Sequence, residues 1–322
     1  MKFKFLIICI FLTSCGGGGG ESDSASGIAG PPINPPSFSE QCIDAGLNIE
    51  RCTFTHNGIE RYYLIYVPSN IDQSSKTPLL FSLHGYGGSA IRNIEYSNFR
   101  SIADANGFIV VFPQGAPYTS QLVSSSSHWN SGGWTTGSNV DDVDFIDTII
   151  DQSLSKHNID SNRIYSTGMS NGGFMSYHLA CNLSSKIAAI ASVTGSMTFE
   201  TYDDCNPSHP TSVLQIHGAQ DTTVPFEGNT TLGMKSIPNS IEYWALYNSC
   251  NSDPTIAISD FFEEGYSIQF DYYENCLNNV SVELVLHSSM RHTWPTSESL
   301  SYSASQNIWD FLSKYDLDGL ID

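Results

Sequence analysis

One short segment of the chain places a serine between glycines, in a position suited to nucleophilic chemistry. Residues 164–174 read IYSTGMSNGGF, so Ser170 lies in a G-x-S-x-G pattern. A β-branched and aromatic run precedes the pattern and an apolar helical segment follows it, which predicts a strand, a sharp turn and a helix. A serine on such a turn is exposed as a nucleophile, and backbone N–H groups at the helix start can stabilise an oxyanion. The alternative is a glycine-rich turn without a catalytic role.

A nucleophilic serine needs a histidine base and a carboxylate that orients the base, and both follow Ser170 in the chain. Asp221 lies after the predicted strand SVLQI, in the loop HGAQDTTVP, and His287 and His292 lie after the predicted strand SVELVL, in HSSMRHTWP. We prefer His292 because it lies deeper in its loop, whereas His287 is expected to be packed or partly exposed at the strand end. The sequence therefore predicts a catalytic triad of Ser170, Asp221 and His292, in that chain order.

An oxyanion hole needs a second backbone donor, which the segment LHGYGG at residues 83–88 can supply. Its glycines allow the backbone N–H of Tyr86 to point at a carbonyl oxygen together with the N–H of Asn171. A plain strand-to-helix turn is the alternative. His84 and His217 each precede a glycine at a strand end, and for both we expect a loop-bracing role rather than catalysis.

Aromatic residues near these motifs are candidates for substrate binding. Tyr86, Trp134 in WNSGGW and Trp294 beside His292 could form a platform for an aromatic ring, a sugar or a polyester segment. For either tryptophan, a place in the core is the alternative. The sequence has no C-x-x-C pair and no His/Cys cluster at metal-ligand spacing, so a zinc site is not expected. The predicted serine mechanism needs no metal or organic cofactor.

The elements that must position these residues alternate between strand-like and helix-like segments. This alternation predicts an α/β fold in a single domain, with a mostly parallel sheet and helices on both of its faces. A long loop rich in Ser and Gly is expected over residues 113–139. The predicted strands are 61–67, 78–83, 108–112, 163–166, 188–193, 212–216 and 281–286, and the predicted helices are 91–105, 143–155, 174–183, 241–247 and 305–312.

Composition and charge narrow the class of partner. The 322 residues include 13 basic and 33 acidic side chains, for a formal net charge of -20. Such a surface repels phosphate backbones, which argues against nucleic acid as a partner. Charged residues make up only 14% of the chain, so Ser, Asn, Thr and Tyr must cover much of the surface. That surface suits contacts with carbohydrate or an uncharged polymer, but it also fits an acidic soluble protein without such a partner.

The N-terminus has the pattern of an exported lipoprotein. The segment MKFKFLIICIFLTSC has two lysines, a short apolar run and a lipobox-like Leu-Thr-Ser-Cys, which predicts a signal peptide over residues 1–15 and lipidation of Cys15. Residues 16–38 are rich in Gly, Ser and Pro and are expected to be a flexible linker. A catalytic domain is expected over 39–322, anchored at a bacterial outer membrane or cell surface. An ordinary signal peptide cleaved nearby is the alternative.

Cysteine usage agrees with export. Six cysteines remain after the signal peptide and lipidation site, and an even number in an exported chain predicts disulfides. Six cysteines allow 15 connectivities, and the sequence does not choose among them. Sequential pairing is the simplest hypothesis, and it gives Cys42–Cys52, Cys181–Cys205 and Cys250–Cys276.

Seven segments of the chain follow one another in a recognisable order: LHGYGG, ADANGFIVVFPQG, DDVDFI, GMSNGGF, IHGAQDTTVPF, the segment from Trp244 to Cys250, and HTWP. Taken together, these segments resemble those of the polyhydroxybutyrate depolymerase/feruloyl esterase-like family of secreted α/β-hydrolases. The resemblance spans roughly residues 55–313. It implies that Ser170, Asp221 and His292 are nucleophile, acid and base, and it also implies the disulfide Cys250–Cys276. The family usually has glycines before the catalytic histidine, where this chain has Ser288–Arg291, and this departure is expected to narrow or reshape the rim of the pocket.

The resemblance and the triad predict a monomeric serine ester hydrolase that cleaves polymer-borne esters through an acyl-enzyme. The ester is expected to belong to a hydroxyalkanoate polyester, or to be a feruloyl or acetyl group on plant polysaccharide. A serine peptidase of similar fold is one alternative, disfavoured because the chain has no additional substrate-gating domain. A surface lipoprotein that only binds polymer is the other, and the complete set of triad residues argues against it.

Overall fold

The computed structural model describes residues 39–72, 74–118, 126–261 and 265–321. The predicted signal peptide, the lipidation site Cys15 and the predicted linker therefore lie outside the described residues. In the described part of the chain, none of the helices combines the length and the apolar character that a membrane crossing requires.

Strands and helices alternate along most of the described chain. The helices are α1 Ala90–Ser97, α2 Phe99–Asn106, α3 Asp142–Lys156, α4 Asn171–Asn182, α5 Phe199–Asp204, α6 Ile237–Tyr247, α7 Ser297–Leu300 and α8 Ala304–Leu312. The strands are β1 Glu40–Gly46, β2 Ile49–His56, β3 Ile59–Tyr66, β4 Thr77–Leu83, β5 Ile109–Pro113, β6 Ala116–Tyr118, β7 Ser126–His128, β8 Ile159–Met169, β9 Ala189–Val193, β10 Ser212–Gly218, β11 Thr255–Phe261, β12 Tyr266–Tyr273, β13 Val282–His287, β14 Tyr315–Asp316 and β15 Gly319–Leu320.

Eleven of these strands form one sheet, in the order β1-β2-β3-β5-β4-β8-β9-β10-β13-β12-β11. The six central strands, from β5 to β13, pair with one another in parallel. The pairings at both edges are antiparallel. The structure thus has the predicted α/β fold with a parallel centre, and its sheet is mixed rather than wholly parallel. The physical reason is that hairpins, which need only short turns, add antiparallel strands outside the crossover units.

Two local signals explain the departures from the predicted elements. Asn57 and Gly58 both have positive φ, the conformation of an Asn-Gly hairpin turn, and they join β2 to β3. Asn98 adopts a left-handed conformation with φ 51°, which divides the predicted helix 91–105 into α1 and α2. The predicted loop 113–139 contains the short antiparallel pair β6–β7.

Apolar residues of the strands alternate between the two faces of the sheet and form two separate cores. In β4, Leu80 packs on the face covered by α1, α2 and α8. Its neighbours Leu79 and Phe81 pack on the other face, with residues of α3, α4 and α6. Because both faces of the central strands are covered, β4, β5, β9 and β10 are buried along their whole length.

The structure contains three disulfides, and they follow the sequential pairing. Cys42–Cys52 joins directly paired residues of β1 and β2. Cys181–Cys205 joins the last turn of α4 to the end of α5. Cys250–Cys276 joins the chain after α6 to the segment before β13.

Candidate active site

Ser170 occupies the turn between the central strand β8 and helix α4. Its backbone has φ 55° and ψ -122°, a conformation that is strained for a residue with a Cβ atom. Two backbone hydrogen bonds hold the turn, because Ser170 N–H donates to the Val193 carbonyl at 2.8 Å and Phe174 N–H donates to the Ser170 carbonyl at 3.0 Å. A strained backbone at a serine between a strand and a helix is typical of an exposed nucleophile.

The glycine after this turn is required by packing. A Cβ atom at Gly172 would lie 2.2 Å from the Leu83 carbonyl oxygen, which is far inside van der Waals contact. Helix α4 can therefore approach the end of β4 only because residue 172 has no side chain. This close approach brings the start of α4 and the predicted oxyanion loop together.

Asp221 and His292 form a hydrogen-bonded pair. His292 Nδ1 donates to Asp221 Oδ2 at 2.8 Å, and the backbone N–H groups of Thr223 and Val224 donate to Asp221 Oδ1 at 2.8 and 2.9 Å. Burial alone would raise the pKa of Asp221, but the hydrogen bonds from His292 and the two backbone groups outweigh it and lower that pKa. Asp221 is therefore ionised at neutral pH and fixes the proton of His292 on Nδ1, which leaves Nε2 free to accept a proton.

The predicted oxyanion loop lies directly against Ser170. A Cβ atom built on Gly85 would be 3.4 Å from Ser170 Cβ and 4.0 Å from Ser170 Oγ. Within the described residues, the Ser170 hydroxyl makes no hydrogen bond with His292, whose side chain is 21% exposed. Hydrogen bonds between a nucleophile and its base are often long in a free enzyme and shorten when substrate binds.

Trp129 links the oxyanion loop to the start of α4, and sequence analysis did not identify it. Its backbone exchanges two hydrogen bonds with the Asn171 side chain, at 2.7 and 3.0 Å, and its indole N–H donates to the His84 carbonyl at 2.8 Å. His84 in turn accepts from Gly115 N–H at Nε2, at 2.9 Å, and donates from Nδ1 to the Gly85 carbonyl at 2.8 Å. Burial lowers the pKa of His84 to about 4, so it braces the loop as a neutral imidazole.

His217 braces the loop that carries Asp221. Gln215 Nε2 donates to His217 Nδ1 at 3.0 Å, which leaves the proton on Nε2, and Nε2 donates to the Val224 carbonyl at 2.9 Å. Burial lowers the pKa of His217 to about 4. Both histidines predicted to brace loops are therefore buried, neutral and hydrogen-bonded to loop backbone.

His287 is a packed histidine. It is buried at the end of β13, and its ring stacks on Tyr266 with a centroid distance of 4.6 Å. Its Nε2 donates to the Leu300 carbonyl at 3.3 Å, and its Nδ1 accepts from Ser289 N–H at 3.3 Å. The structure thus gives His292, and not His287, the carboxylate partner.

The two candidate tryptophans differ in their surroundings. Trp294 is only 6% exposed, packs against Tyr96 and Phe99, and donates its indole N–H to Ser305 at 3.0 Å. We therefore correct its assignment from substrate binding to the core. Trp134 is partly exposed and contacts the Tyr86 ring edge-on, with a centroid distance of 5.1 Å.

The segment Ser288–Arg291, which replaces the usual glycines, supports the loop of His292. Met290 is 1% exposed, and its carbonyl accepts from Gln220 N–H at 3.0 Å, which connects the loop to that of Asp221. Ser288 Oγ accepts from Ser267 N–H at 2.8 Å, at the start of β12. Met290 thus connects the loops of His292 and Asp221, and Ser288 connects the start of the His292 loop to β12, contacts that the sequence pattern did not reveal.

Comparison of the chain with models of known protein families identifies its family. The model of the phospholipase/carboxylesterase family matches residues 70–237, just over half of the chain. This chain belongs to the phospholipase/carboxylesterase family. The matched segment includes the predicted oxyanion loop, Ser170 and Asp221, whereas His292 lies beyond it.

Relatives of this family member are named esterases. Feruloyl esterase B of Piromyces equi is 28% identical over 266 residues, which cover 80% of this chain and 46% of that protein. A bifunctional acetylxylan esterase/xylanase of Neocallimastix patriciarum is 26% identical over 262 residues, which cover 81% of this chain and 34% of that protein. The chain thus spans between a third and a half of the length of these relatives.

Solved structures confirm the fold expected from the sequence. The acetyl xylan esterase from Aspergillus awamori aligns with a TM-score of 0.56 over 85% of this chain and 99% of that protein, at 17% identity. At this identity the likeness shows the fold alone. The family member described here has the α/β-hydrolase fold, with a mixed sheet.

Proposed function

We propose that the protein is a serine carboxylic ester hydrolase, with Ser170 as nucleophile, His292 as base and Asp221 as the acid that orients His292. The hydrogen bond between His292 and Asp221 carries this proposal. It joins the loop after β10 to the loop after β13. Both loops lie at the carboxyl ends of the parallel strands, where the strained turn of Ser170 also follows β8. Family membership and the names of the relatives support the same reaction class.

The mechanism follows from the proton positions. His292 Nε2 takes the hydroxyl proton as Ser170 Oγ attacks the ester carbonyl, and the imidazolium that forms is stabilised by ionised Asp221. The backbone N–H groups of Tyr86 and Asn171 are proposed to stabilise the oxyanion. His292 then protonates the leaving alcohol, and water activated by the same base hydrolyses the acyl-enzyme.

The substrate is proposed to be an ester carried by a polymer or oligomer. The named relatives suggest feruloyl or acetyl esters of plant polysaccharide, and the resemblance noted in the sequence adds hydroxyalkanoate polyester. Tyr86 and Trp134 are the aromatic residues proposed to contact it. The mechanism assigned to these residues uses no metal or organic cofactor.

The protein is also proposed to act outside the cytoplasm, as a monomer anchored through Cys15. The three disulfides support an oxidising compartment, where such bonds persist. The lipobox-like sequence before Cys15 supports the anchor.

A substrate panel tests the proposed reaction. Purified protein lacking residues 1–36 is assayed against p-nitrophenyl acetate, methyl ferulate, acetylated xylan, polyhydroxybutyrate film and a p-nitroanilide peptide. We expect hydrolysis of one or more esters and none of the peptide. Hydrolysis of the peptide alone, or of no substrate by folded protein, would contradict the proposal.

A further inference from the structure

A buried ion pair joins strand β3 to the start of helix α3. Arg61 Nη2 donates to Asp142 Oδ1 at 2.7 Å, and the two side chains are 3% and 0% exposed. The Arg61 guanidinium also lies over the ring of Phe145, with its carbon 3.7 Å from the ring centroid. Asp142 belongs to the segment DDVDFI, to which the proposed reaction gives no chemical step.

Each partner of the pair also binds a backbone group of a loop. The second oxygen of Asp142, Oδ2, accepts from Asn130 N–H at 2.8 Å. Arg61 Nη2 also donates to the carbonyl of Gln114 at 3.2 Å. Gln114 follows β5 in the chain and Asn130 follows β7. One buried ion pair therefore holds two loops that are not adjacent in sequence.

These two loops are the ones that hold His84. Gly115, next to Gln114 in the chain, donates its N–H to His84 Nε2 at 2.9 Å. Trp129, next to Asn130, donates its indole N–H to the His84 carbonyl at 2.8 Å. His84 is two residues before Tyr86, whose backbone N–H is one of the proposed oxyanion donors. The ion pair thus supports the oxyanion loop from two sides.

Trp129 also fixes the residue that carries the other proposed donor. Its backbone exchanges hydrogen bonds of 2.7 and 3.0 Å with the side chain of Asn171. A shift of the backbone at Trp129 would therefore move both donors relative to Ser170. Such a shift weakens catalysis, because the N–H groups of an oxyanion hole must already point to the place where negative charge develops.

Stability alone does not account for this ion pair. Removing two charges from water costs free energy that offsets their attraction, so an apolar pair of similar volume is often no less stable. An apolar pair could not bind the Gln114 carbonyl or the Asn130 N–H, because it has neither a donor nor an acceptor. The directional bonds to the two loops are therefore what the charged pair supplies.

We propose that Arg61 and Asp142 are positioning residues for the oxyanion hole, and that they act through the two loops that hold His84. The proposal rests on the ester hydrolase function proposed above and adds two residues to it. Neither side chain is exposed enough to meet a substrate.

Two double variants separate the bond to Asn130 from the charges. Arg61→Met/Asp142→Asn and Arg61→Met/Asp142→Leu both lack the ion pair, but only the asparagine keeps an oxygen that can accept from Asn130 N–H. Both partners are changed together because burial lowers the pKa of His84 to about 4, while the charge of Asp142 raises that pKa and the charge of Arg61 lowers it. Removing Arg61 alone would therefore disturb His84 in a second way.

Rates on p-nitrophenyl acetate measure the catalytic consequence. Arg61→Met/Asp142→Leu should lower kcat about 100-fold with little change in KM, the effect of losing an oxyanion donor. Arg61→Met/Asp142→Asn should recover at least about tenfold of that loss. Asp144→Ala is the matched control, because its carboxylate lies in the same segment but binds His56, and it should leave kcat unchanged. Equal kcat in the two folded double variants would overturn the proposal.

A single variant keeps the proposal testable if the leucine variant does not fold. Trp129→Phe retains the ion pair and removes the indole donor to the His84 carbonyl. It should also lower kcat with little change in KM. A folded Trp129→Phe protein with the kcat of the wild type would show that the path through Trp129 does not reach the oxyanion hole.

Hydrogen exchange at the Trp129 indole N–H separates the positioning from the esterase function. Its resonance is assigned by its loss in Trp129→Phe. Exchange should be at least about tenfold faster in Arg61→Met/Asp142→Leu than in Arg61→Met/Asp142→Asn, because the bond to the His84 carbonyl opens more often. That result together with a wild type that hydrolyses no ester would retain the positioning and reject the function. Equal exchange rates in the two variants would overturn the positioning, whether or not the wild type is active.

Discussion

Asp221 and His292 are 71 residues apart in the chain, and their contact depends on buried groups that do no chemistry themselves. His217 holds the backbone of the Asp221 loop, and the Met290 carbonyl connects that loop to the one bearing His292. The pairing of Asp221 with His292 and the bracing histidines could be predicted from the sequence, because each residue lies in a short motif after an apolar strand. Trp129 could not, since its role depends on hydrogen bonds with residues far away in the chain.

His287 at the end of β13 and His292 in the loop after it should differ sharply in a kinetic comparison. His292→Ala should reduce kcat on p-nitrophenyl acetate by at least about 1,000-fold, because Ser170 loses its base. His287→Ala removes a packed ring and should mainly lower the melting temperature. The two variants are compared by initial rates and by thermal unfolding followed by circular dichroism. If His287→Ala reduced kcat as much as His292→Ala while remaining folded, the base would have to be reassigned.

The buried neutral histidines predict a loss of stability in mild acid. The pKa values of His84 and His217 are about 4 in the folded protein, against an ordinary 6.5, because burial disfavours the charged ring. The unfolded chain therefore takes up these protons first, and stability present above pH 6.5 is lost as the pH falls towards 4. Each histidine should contribute about 2 kcal/mol of this loss between pH 7 and pH 5.

Urea unfolding at these two pH values measures that effect. His217→Gln removes one of the titrating groups, so its unfolding free energy should fall less steeply with pH than that of the wild type. An identical pH dependence in the variant and the wild type would show that His217 is not held neutral.

Elements of the central sheet were predictable because their strands are continuous apolar runs and their helices have regular periodicity. The strands β1, β11 and β12 at the antiparallel edges were missed. β1 and β11 are largely exposed and have no continuous apolar run. β12, YSIQFDYY, alternates apolar and polar residues, which is a usable strand signal. The Asn-Gly pair at residues 57 and 58 is a hairpin signal in the sequence, and it joins β2 to β3. The left-handed Asn98 that divides α1 from α2 has no clear signature in an otherwise helical pattern.

The close contact between α4 and β4 predicts that a side chain at residue 172 destabilises the protein. Gly172→Ala forces a methyl group to within 2.2 Å of the Leu83 carbonyl oxygen, so α4 must move away from the oxyanion loop. We expect a loss of about 3 kcal/mol in unfolding free energy and a large loss of activity. Gly46→Ala is the control, because the space around Gly46 is open and only its positive φ strains the substitution. It should cost about 1 kcal/mol. Equal stability of the two variants would contradict the packing argument.

At the scale of the whole molecule, the disulfides lie outside the central strands. Cys42–Cys52 fastens the exposed edge strand β1. Cys181–Cys205 fastens the last turn of α4 to the end of α5, and Cys250–Cys276 fastens the chain after α6 to the segment before β13. Their pairing could not be derived from the sequence, since connectivity depends on which loops the fold brings together. The sequential pattern occurs because each bond joins segments that are near neighbours in the chain.

The proposed anchor predicts how the full-length protein distributes between fractions. Cys15→Ala should leave the enzyme in the soluble fraction, or accumulate an unprocessed precursor, without changing its activity on soluble esters, because lipid chains supply stable membrane attachment. Fractionation of bacterial cells expressing either form measures this distribution. Processed Cys15→Ala protein that remained in the membrane fraction would show that another feature holds it there.

Covalent labelling by a fluorophosphonate probe tests the central claim most directly, because the probe reacts with an activated serine and not with an ordinary hydroxyl. Peptide mass spectrometry of the wild type should find one probe per chain, on Ser170. Labelling should be absent in Ser170→Ala and at least about 100-fold slower in His292→Ala. A folded, active wild type that carried the probe on a different serine, or that labelled equally fast without His292, would contradict the assignment of Ser170, His292 and Asp221 as the catalytic triad.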